Sequence, residues 1–212
     1  MPRRIGRAGS GRALRVLGRV LLVVLGVTVE IARAEAASML VLPRPGQLGL
    51  TVQGQYGSLL DSGNLGSEFG SGGGLAVRLR YRMRYERAIG LSFENQTLDA
   101  RSAPTSATDS TQMSMLLSGA DFYQLFNTSG RTQEMLSVGA GIAQIHYTLR
   151  DGETEYPLEG DGVYVSAGVG IERFFYRSFA FDLSGRYYAV FEGGKTNHDL
   201  QAAAGIIFYA SY

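Results

Sequence analysis

The residues that most restrict how this chain can fold are its last thirteen, Leu200 to Tyr212. Every second residue there is apolar or aromatic, while the row between them is smaller and partly polar. Strict alternation of this length predicts one long strand with two unlike faces. Such a strand exceeds the roughly 9–11 residues that a tilted strand needs to cross a bilayer, whereas strands of globular proteins are usually about half as long.

A second segment indicates what each face of such a strand contacts. Along this segment, arginines alternate with large apolar residues, so that the arginines lie on one face of the strand and the apolar residues on the other. The arginine row is Arg78, Arg80 and Arg82, and the apolar row is Leu75, Val77, Leu79 and Tyr81. Three unpaired charges cannot point into an apolar core, because burying them costs too much free energy. The pattern therefore predicts a wall with lipid on one side and a polar interior on the other. The competing interpretation is a soluble antiparallel sheet with its charged face in water.

The same alternation recurs along the chain and predicts eight strands. They are centred on Leu48–Tyr56, Leu75–Arg82, Ile89–Gln96, Thr111–Phe126, Leu136–Leu149, Val163–Glu172, Phe179–Tyr188 and Leu200–Tyr212. Polar loops are predicted at Ser58–Gly72, Asp99–Ser110, Arg150–Asp161 and Glu192–Asn197, and short turns lie between them. An even strand count with short turns at one end is typical of bacterial membrane barrels. We predict an all-β fold, an eight-stranded antiparallel up-and-down transmembrane β-barrel over residues 47–212.

The fourth strand fits this scheme poorly. Met113, Met115 and Leu117 share one row, but continuing that row places Asp121 among them. A β-bulge near Ser118 would return Asp121 to the polar interior and Ala120 and Phe122 to the lipid-facing side. We therefore expect a bulge at that position.

The first 36 residues differ in composition from the rest. Seven arginines and an apolar stretch, Val20–Val27, precede small residues at alternate positions, which is typical of a secretory signal peptide. We predict cleavage after Ala36, with Ala34 as the second choice, followed by a short periplasmic lead at residues 37–46. A transmembrane helix would need about twice as many apolar residues. The rest of the chain holds 13 basic and 17 acidic residues, about −4, which disfavours nucleic acid as a partner.

Three segments carry a resemblance to known families: Leu136–Ile142, Val165–Glu172 and Ala204–Tyr209, which alternate apolar residues with small ones. In these segments the chain resembles the eight-stranded outer-membrane β-barrels of the OmpA-transmembrane-domain, OmpX and opacity type. The resemblance implies a location in the bacterial outer membrane, among its lipids and lipopolysaccharide. It also implies insertion by the barrel assembly machinery, with Ile206, Phe208 and Tyr212 as the C-terminal assembly signal.

The candidate site is the charged interior. Its predicted members are Arg78, Arg80, Glu94, Asp121, Glu172, Asp182 and Arg186. Glu94 and Glu86 are the expected partners of Arg78 and Arg80 across the second hairpin. The two interpretations are a charge-lined pore and a salt-bridged plug. An eight-stranded barrel is only wide enough for its own side chains to fill, which favours the plug.

Other chemistry has less support in the sequence. His146 and His198 are expected near the outer rim, where a lipid A deacylase would use a His-Ser-Glu set, but the residue two positions after His146 is Thr148. Glu153, Glu155 and Glu159 could bind a divalent cation, or form a solvated acidic loop.

The chain has no cysteine, which excludes disulfides and thiolate metal sites, and no nucleotide or metal motif predicts a cofactor. We expect a monomeric, non-enzymatic barrel that serves envelope integrity or surface interaction through its loops. The alternatives are a lipid A-modifying enzyme and a small-solute pore.

Overall fold

The computed structural model describes residues 42–60, 65–101, 112–151 and 154–210. The side chains of residues 148–151 and 154–158 fall outside that description, as do the predicted signal peptide, the start of the lead and Tyr212. No helix in the described part of the chain is long and apolar enough to cross a membrane.

The chain folds as a closed barrel in which every strand pairs antiparallel with its sequence neighbours, and the last strand pairs with the first. This confirms the predicted fold class. The elements are β1 (Leu48–Leu59), α1 (Leu65–Glu68), β2 (Phe69–Arg82), β3 (Arg87–Ala100), β4 (Gln112–Phe126), β5 (Thr132–Asp151), β6 (Thr154–Tyr176), β7 (Phe179–Glu192) and β8 (Lys195–Tyr209).

The two ends of the barrel differ in how the strands are connected. At one end, called the turn end, short turns at residues 83–86, 127–131 and 177–178 join β2 to β3, β4 to β5 and β6 to β7. Two of these turns use a left-handed residue, Asn127 with φ 55° and Arg177 with φ 41°. The opposite end, called the loop end, carries α1 and the connections between β3 and β4, β5 and β6, and β7 and β8.

Side chains alternate strictly between the two faces of the wall, as the pleat requires. Outward rows are apolar through the middle of the barrel, and Leu75 and Val169 remain 65% and 61% exposed there. Inward rows at the same height are polar and buried. A protein that exposes its large apolar residues and buries its arginines has the pattern of a barrel solvated by lipid.

This pattern reverses toward the loop end of β3, β4, β5 and β6. There the outward residues are polar, for example Asn95, Thr97 and Gln144. The inward residues are apolar and form one buried cluster, which includes Leu59, Leu65, Phe69, Leu98, Met113, Met115, Leu117, Ile145 and Val190. Polar outside and apolar inside is the arrangement of a sheet in water. This part of the wall therefore rises beyond the apolar band.

The reversal corrects our expectation for the fourth strand. The register of β4 against β3 and β5 runs without a shift, so no bulge lies near Ser118. Met113, Met115 and Leu117 face the interior and share that face with Asp121 by simple alternation. They lie inside because their end of the strand is above the apolar band, where the core is apolar.

Three predicted loops are shorter than expected. The Ser58–Gly72 segment contains α1 and the start of β2. The acidic Arg150–Asp161 segment is largely strand, because β5 continues to Asp151 and β6 begins at Thr154. The Glu192–Asn197 segment is a tight turn in which Gly193 and Gly194 adopt φ of 56° and 77°, values that glycine tolerates best.

Candidate functional site

The charged interior begins with Arg78 in the middle of β2. Its Nη2 lies 2.8 Å from Oε1 of Glu94 on β3, and its Nε donates to the same oxygen at 3.0 Å. Tyr188 on β7 donates its hydroxyl hydrogen to the other carboxylate oxygen of Glu94 at 2.7 Å. Arg78 and Glu94 are each only 1% exposed, so this pair depends on its partners rather than on water.

Closer to the turn end, one carboxylate serves two arginines. Oε1 of Glu172 on β6 contacts Nη1 of Arg80, and its Oε2 lies 3.1 Å from Nη2 of Arg82. Arg80 also reaches Oδ2 of Asp182 on β7 at 3.3 Å. The hydroxyl of Tyr209 on β8 donates to Glu172 at 3.1 Å. These contacts join β2, β6, β7 and β8 through the centre of the barrel.

A third group closes the interior between β4 and β7. Arg186 donates from Nη1 to Oδ1 of Asp121 at 2.9 Å and from Nη2 to the hydroxyl oxygen of Tyr123 at 2.9 Å. Tyr123 in turn donates to Oδ2 of Asp121 at 2.9 Å. Its ring lies 4.2 Å from the guanidinium carbon of Arg80, which couples this group to the previous one by a cation–π contact.

The structure places all seven sequence-predicted residues in the interior, but not all of the expected pairs form. Arg78 pairs with Glu94, whereas Arg80 uses Glu172 and Asp182. Glu86, the other expected partner, is exposed in the turn between β2 and β3. The correction follows from the height of the residues, because Glu86 lies past the end of both strands.

Several interior residues were missed in the sequence. They are Tyr123, Tyr188, Asp199 and Tyr209, all of which are buried. Arg82, which the arginine row already predicted to face inward, is buried as well. The two-residue alternation along each strand is enough to predict that these side chains point inward. The contacts themselves could not be predicted, because they join strands that are distant in sequence, as in the 127 residues between Arg82 and Tyr209.

Apolar side chains pack together at both ends of the interior. At the turn end, Leu42 packs against Phe174 and Tyr209. At the loop end, Leu65 and Phe69 fill the apolar cluster. Nε of Arg101 donates to the carbonyl oxygens of Gly66 at 2.6 Å and Phe69 at 3.1 Å, which holds α1 in place.

The histidines have the following surroundings. His146 is exposed on the outer face, with Nε2 3.8 Å from Oε1 of Glu159. His198 Nδ1 contacts the hydroxyl of Tyr187, and the two rings stack with centroids 5.7 Å apart. Glu153 and the side chains of Thr148 and Glu155 lie outside the described part of the chain. Within that part, no group of three or more His, Cys, Asp or Glu side chains could hold a metal ion.

On the closing strand β8, Ile206 and Phe208 face outward and are 45% and 40% exposed. They lie beside Val52 and Leu50 of β1, respectively. The apolar row that opened the sequence argument is therefore part of the lipid-facing surface at the seam of the barrel.

No family model and no curated protein matches the sequence. Three solved structures share the fold at low identity. The outer membrane protein OprG from Pseudomonas aeruginosa is 11% identical, with a TM-score of 0.53 over 80% of this chain and 98% of that one. The outer membrane protein AlkL is 13% identical, with a TM-score of 0.51 over 84% and 95%. Ail, the attachment invasion locus protein of Yersinia pestis, is 14% identical, with a TM-score of 0.50 over 77% and 99%.

Structural similarities at such low sequence identity show a shared fold and do not show a shared activity. Together with the lipid-facing outer band and the buried charged interior, they identify the chain as an eight-stranded β-barrel of the outer-membrane type.

Proposed function

We propose that this protein is a non-conducting barrel of the bacterial outer membrane that supports the cell envelope and presents its loop end for contacts at the cell surface. In this orientation the turn end faces the periplasm, as the short turns of outer-membrane barrels do. Its lipid neighbours are phospholipid at the turn end and lipopolysaccharide toward the loop end.

The proposal that solutes do not pass through the barrel rests on its filled interior. Four buried arginines pair with four buried acids across the lumen, and tyrosine hydroxyls occupy positions between them. Opening a path would break ion pairs away from bulk water, which costs about 3–5 kcal/mol for each pair that loses one partner. The apolar clusters at the two ends add further barriers to ions. A plug therefore accounts for the interior better than a pore does.

Single-channel recording tests this directly. The barrel is folded in detergent, inserted into a planar bilayer and held at 100 mV in concentrated KCl. We expect no discrete conductance steps from preparations whose insertion is verified by protease protection. A reproducible unit step that scales with the number of inserted barrels would contradict the plug and restore the pore.

The surface role is supported by the part of the wall that rises beyond the apolar band. The outward residues of this part include His146, Glu159 and Asp161. It ends in the β5–β6 hairpin, which is rich in acidic residues. The solved complex of Ail contains the heparin analogue sucrose octasulfate, a highly anionic ligand. The β5–β6 hairpin here is acidic instead, and we propose that it contacts cationic groups.

Two measurements separate the envelope role from the surface role. Cells lacking the protein should become more sensitive to detergent and to large antibiotics if the barrel supports the envelope. Neutralising the hairpin with Glu159→Gln and Asp161→Asn should leave that resistance intact and lower the binding of a polylysine-coated surface. Unchanged resistance in the deletion strain would exclude the envelope role. Unchanged binding in the variant would exclude the hairpin as the contact surface.

We also propose that the outward row of β8 is recognised during insertion. The exposure of Ile206 and Phe208 beside β1 supports this. A Phe208→Ala variant should accumulate unfolded in the periplasm, whereas Leu200→Ala, in the same row but at the other end of β8, should insert normally. Equal insertion of both variants would argue against a signal at the end of the strand.

A further inference from the structure

Charged side chains outside the interior are distributed unequally between the two ends of the barrel. At the turn end, those of the described residues are six arginines and two glutamates, namely Arg44, Arg84, Arg87, Arg131, Arg173, Arg177, Glu86 and Glu134. At the loop end, five described acids face two described bases, namely Glu68, Asp99, Glu159, Asp161 and Glu192 against Arg101 and Lys195. The turn end is therefore positive, although the chain after residue 36 carries about −4.

Four of the turn-end arginines have no acidic partner. Arg84, Arg87, Arg173 and Arg177 are exposed and make no ion pair with any described side chain. The guanidinium carbon of Arg177 lies 5.3 Å from the centre of the Tyr176 ring, a contact that leaves its charge uncompensated. These charges must be balanced by what surrounds the barrel.

The four arginines are spread around the barrel. Arg84 lies in the β2–β3 turn and Arg177 in the β6–β7 turn, which are four strands apart in a closed ring of eight and hence on opposite sides. On the outer face, Arg87 is the neighbour of Ile89 along β3, and Arg173 is the neighbour of Ile171 along β6. A compact partner on the wall would reach only one side, whereas a membrane leaflet surrounds all of them.

The height of the arginines on the wall matches that of lipid headgroups. They lie where the apolar band ends, and exposed aromatic residues occur at the same end, namely Tyr81, Tyr85, Phe126, Tyr176 and Phe208. Aromatic side chains favour the boundary between acyl chains and headgroups. A guanidinium binds phosphate oxygens through two parallel hydrogen bonds. Because the turn end has a net positive charge, headgroups with a net negative charge are favoured over zwitterionic ones.

We propose that the turn end binds anionic phospholipid headgroups of the phosphatidylglycerol class through Arg84, Arg87, Arg173 and Arg177. This inference rests on the proposed function, which places the turn end at the periplasmic leaflet. The loop end has the opposite charge, so the barrel gathers these lipids in one leaflet only. The protein thereby selects its lipid neighbours by headgroup charge, in addition to matching the thickness of the membrane.

The test uses the purified full barrel in phosphatidylcholine vesicles at low ionic strength, with traces of spin-labelled lipid. Electron paramagnetic resonance separates labelled lipid that is immobilised at the protein surface from lipid in the bulk bilayer. We expect phosphatidylglycerol to associate more strongly than phosphatidylcholine, by up to about fivefold at each arginine. Concentrated KCl should remove most of this preference by screening the charges. Equal association of the two lipids with the wild-type barrel would overturn the proposal.

Two variants locate the preference on the barrel. Arg87→Gln combined with Arg173→Gln removes two charges from the turn end and should lower the preference for phosphatidylglycerol. Asn95→Asp combined with Gln144→Glu is the matched control, because it changes the net charge by the same amount at exposed positions toward the loop end, and it should keep the preference. All four positions are exposed, so both variants should still fold, which the shift on detergent gels verifies. An equal loss in both variants would assign the effect to net charge and overturn the role of the turn end.

Two further outcomes separate this inference from its neighbours. Release of labelled phosphatidylglycerol by inorganic phosphate would assign the arginines to a soluble phosphate ligand and overturn the lipid assignment, so we expect no release. The measurement requires neither conductance nor surface binding. Absence of the preference in a barrel that is silent in planar bilayers would therefore overturn this inference alone, while a conducting barrel that keeps the preference would overturn only the plug.

Discussion

The residue whose replacement should reveal most about the interior is Glu172, because its carboxylate is shared by Arg80 and Arg82. A Glu172→Gln substitution keeps the shape of the side chain and removes its charge. Breaking a buried ion pair by removing one partner costs about 3–5 kcal/mol. Here Arg80 keeps Asp182 at 3.3 Å, and Arg82 keeps Oε1 of Gln133 at 2.8 Å. Because neither guanidinium is left alone, we expect the lower end of the range, about 3 kcal/mol.

This loss is measurable as a change of more than a hundredfold in the folding equilibrium constant, since about 1.4 kcal/mol corresponds to a factor of ten. Barrels folded in lipid vesicles are titrated with urea, and the folded fraction is read from the mobility of unheated samples on detergent gels and from circular dichroism. Glu159→Gln is the matched control. Its carboxylate is exposed and lies 3.8 Å from His146, so the substitution should change stability by less than about 1 kcal/mol.

A double variant tests whether the loss comes from the pair. Arg82→Met removes one of the charges that Glu172 neutralises, so the double variant should be more stable than the sum of the two single losses predicts, by at least about 0.5 kcal/mol. A loss below 1 kcal/mol for Glu172→Gln, or strictly additive single effects, would refute the view that this interior is held by mutually dependent ion pairs.

Three further outcomes follow from the described contacts. Val169→Arg places a charge in the middle of the lipid-facing surface and should destabilise the folded barrel by about 2–4 kcal/mol, whereas Gln144→Arg, above the apolar band, should be neutral in the same urea titration. Arg101→Met removes the donors that hold α1, and limited proteolysis should then cleave the β1–β2 connection while the rest of the barrel stays intact. Wild-type protein from the outer-membrane fraction should migrate differently on detergent gels before and after boiling, and a soluble protein without this shift would contradict the membrane barrel.

The parts of this fold that the sequence predicts are those where one physical rule holds along a whole strand. In β2 the arginine row faces a polar interior and the leucine row faces lipid from Leu75 to Arg82, so two-residue periodicity is enough. In β4 the environment changes within the strand. Met113 faces the apolar core above the apolar band, while Asp121 on the same face lies at the height of the ion pairs. Alternation predicts that Met113 and Asp121 lie on the same face of β4, but it does not predict the height at which the membrane ends.

The same distinction applies to the interior site, where some contacts can be predicted from a single hairpin and others cannot. The inward position of Arg78 and its partner Glu94 on the neighbouring strand could be inferred from a hairpin alone. The contact of Arg80 with Glu172 could not, because it crosses the barrel and depends on closure and on the relative height of β2 and β6. The acidic β5–β6 segment was predicted as a loop because polar residues occupy loops and solvated strands alike.

The pairing of β1 with β8 has a consequence for how the molecule must be made. Gly49 lies beside Tyr209, so the first and last strands can pair only after all of the chain between them has been synthesised. Until then each presents an unpaired edge, which is a template for pairing with another chain. Contacts between residues this far apart in sequence also slow folding. The conformational entropy of the long intervening chain is lost before the contacts contribute any favourable free energy. β1 therefore lacks this partner until β8 has been synthesised, and during that interval the unpaired strand edges favour aggregation.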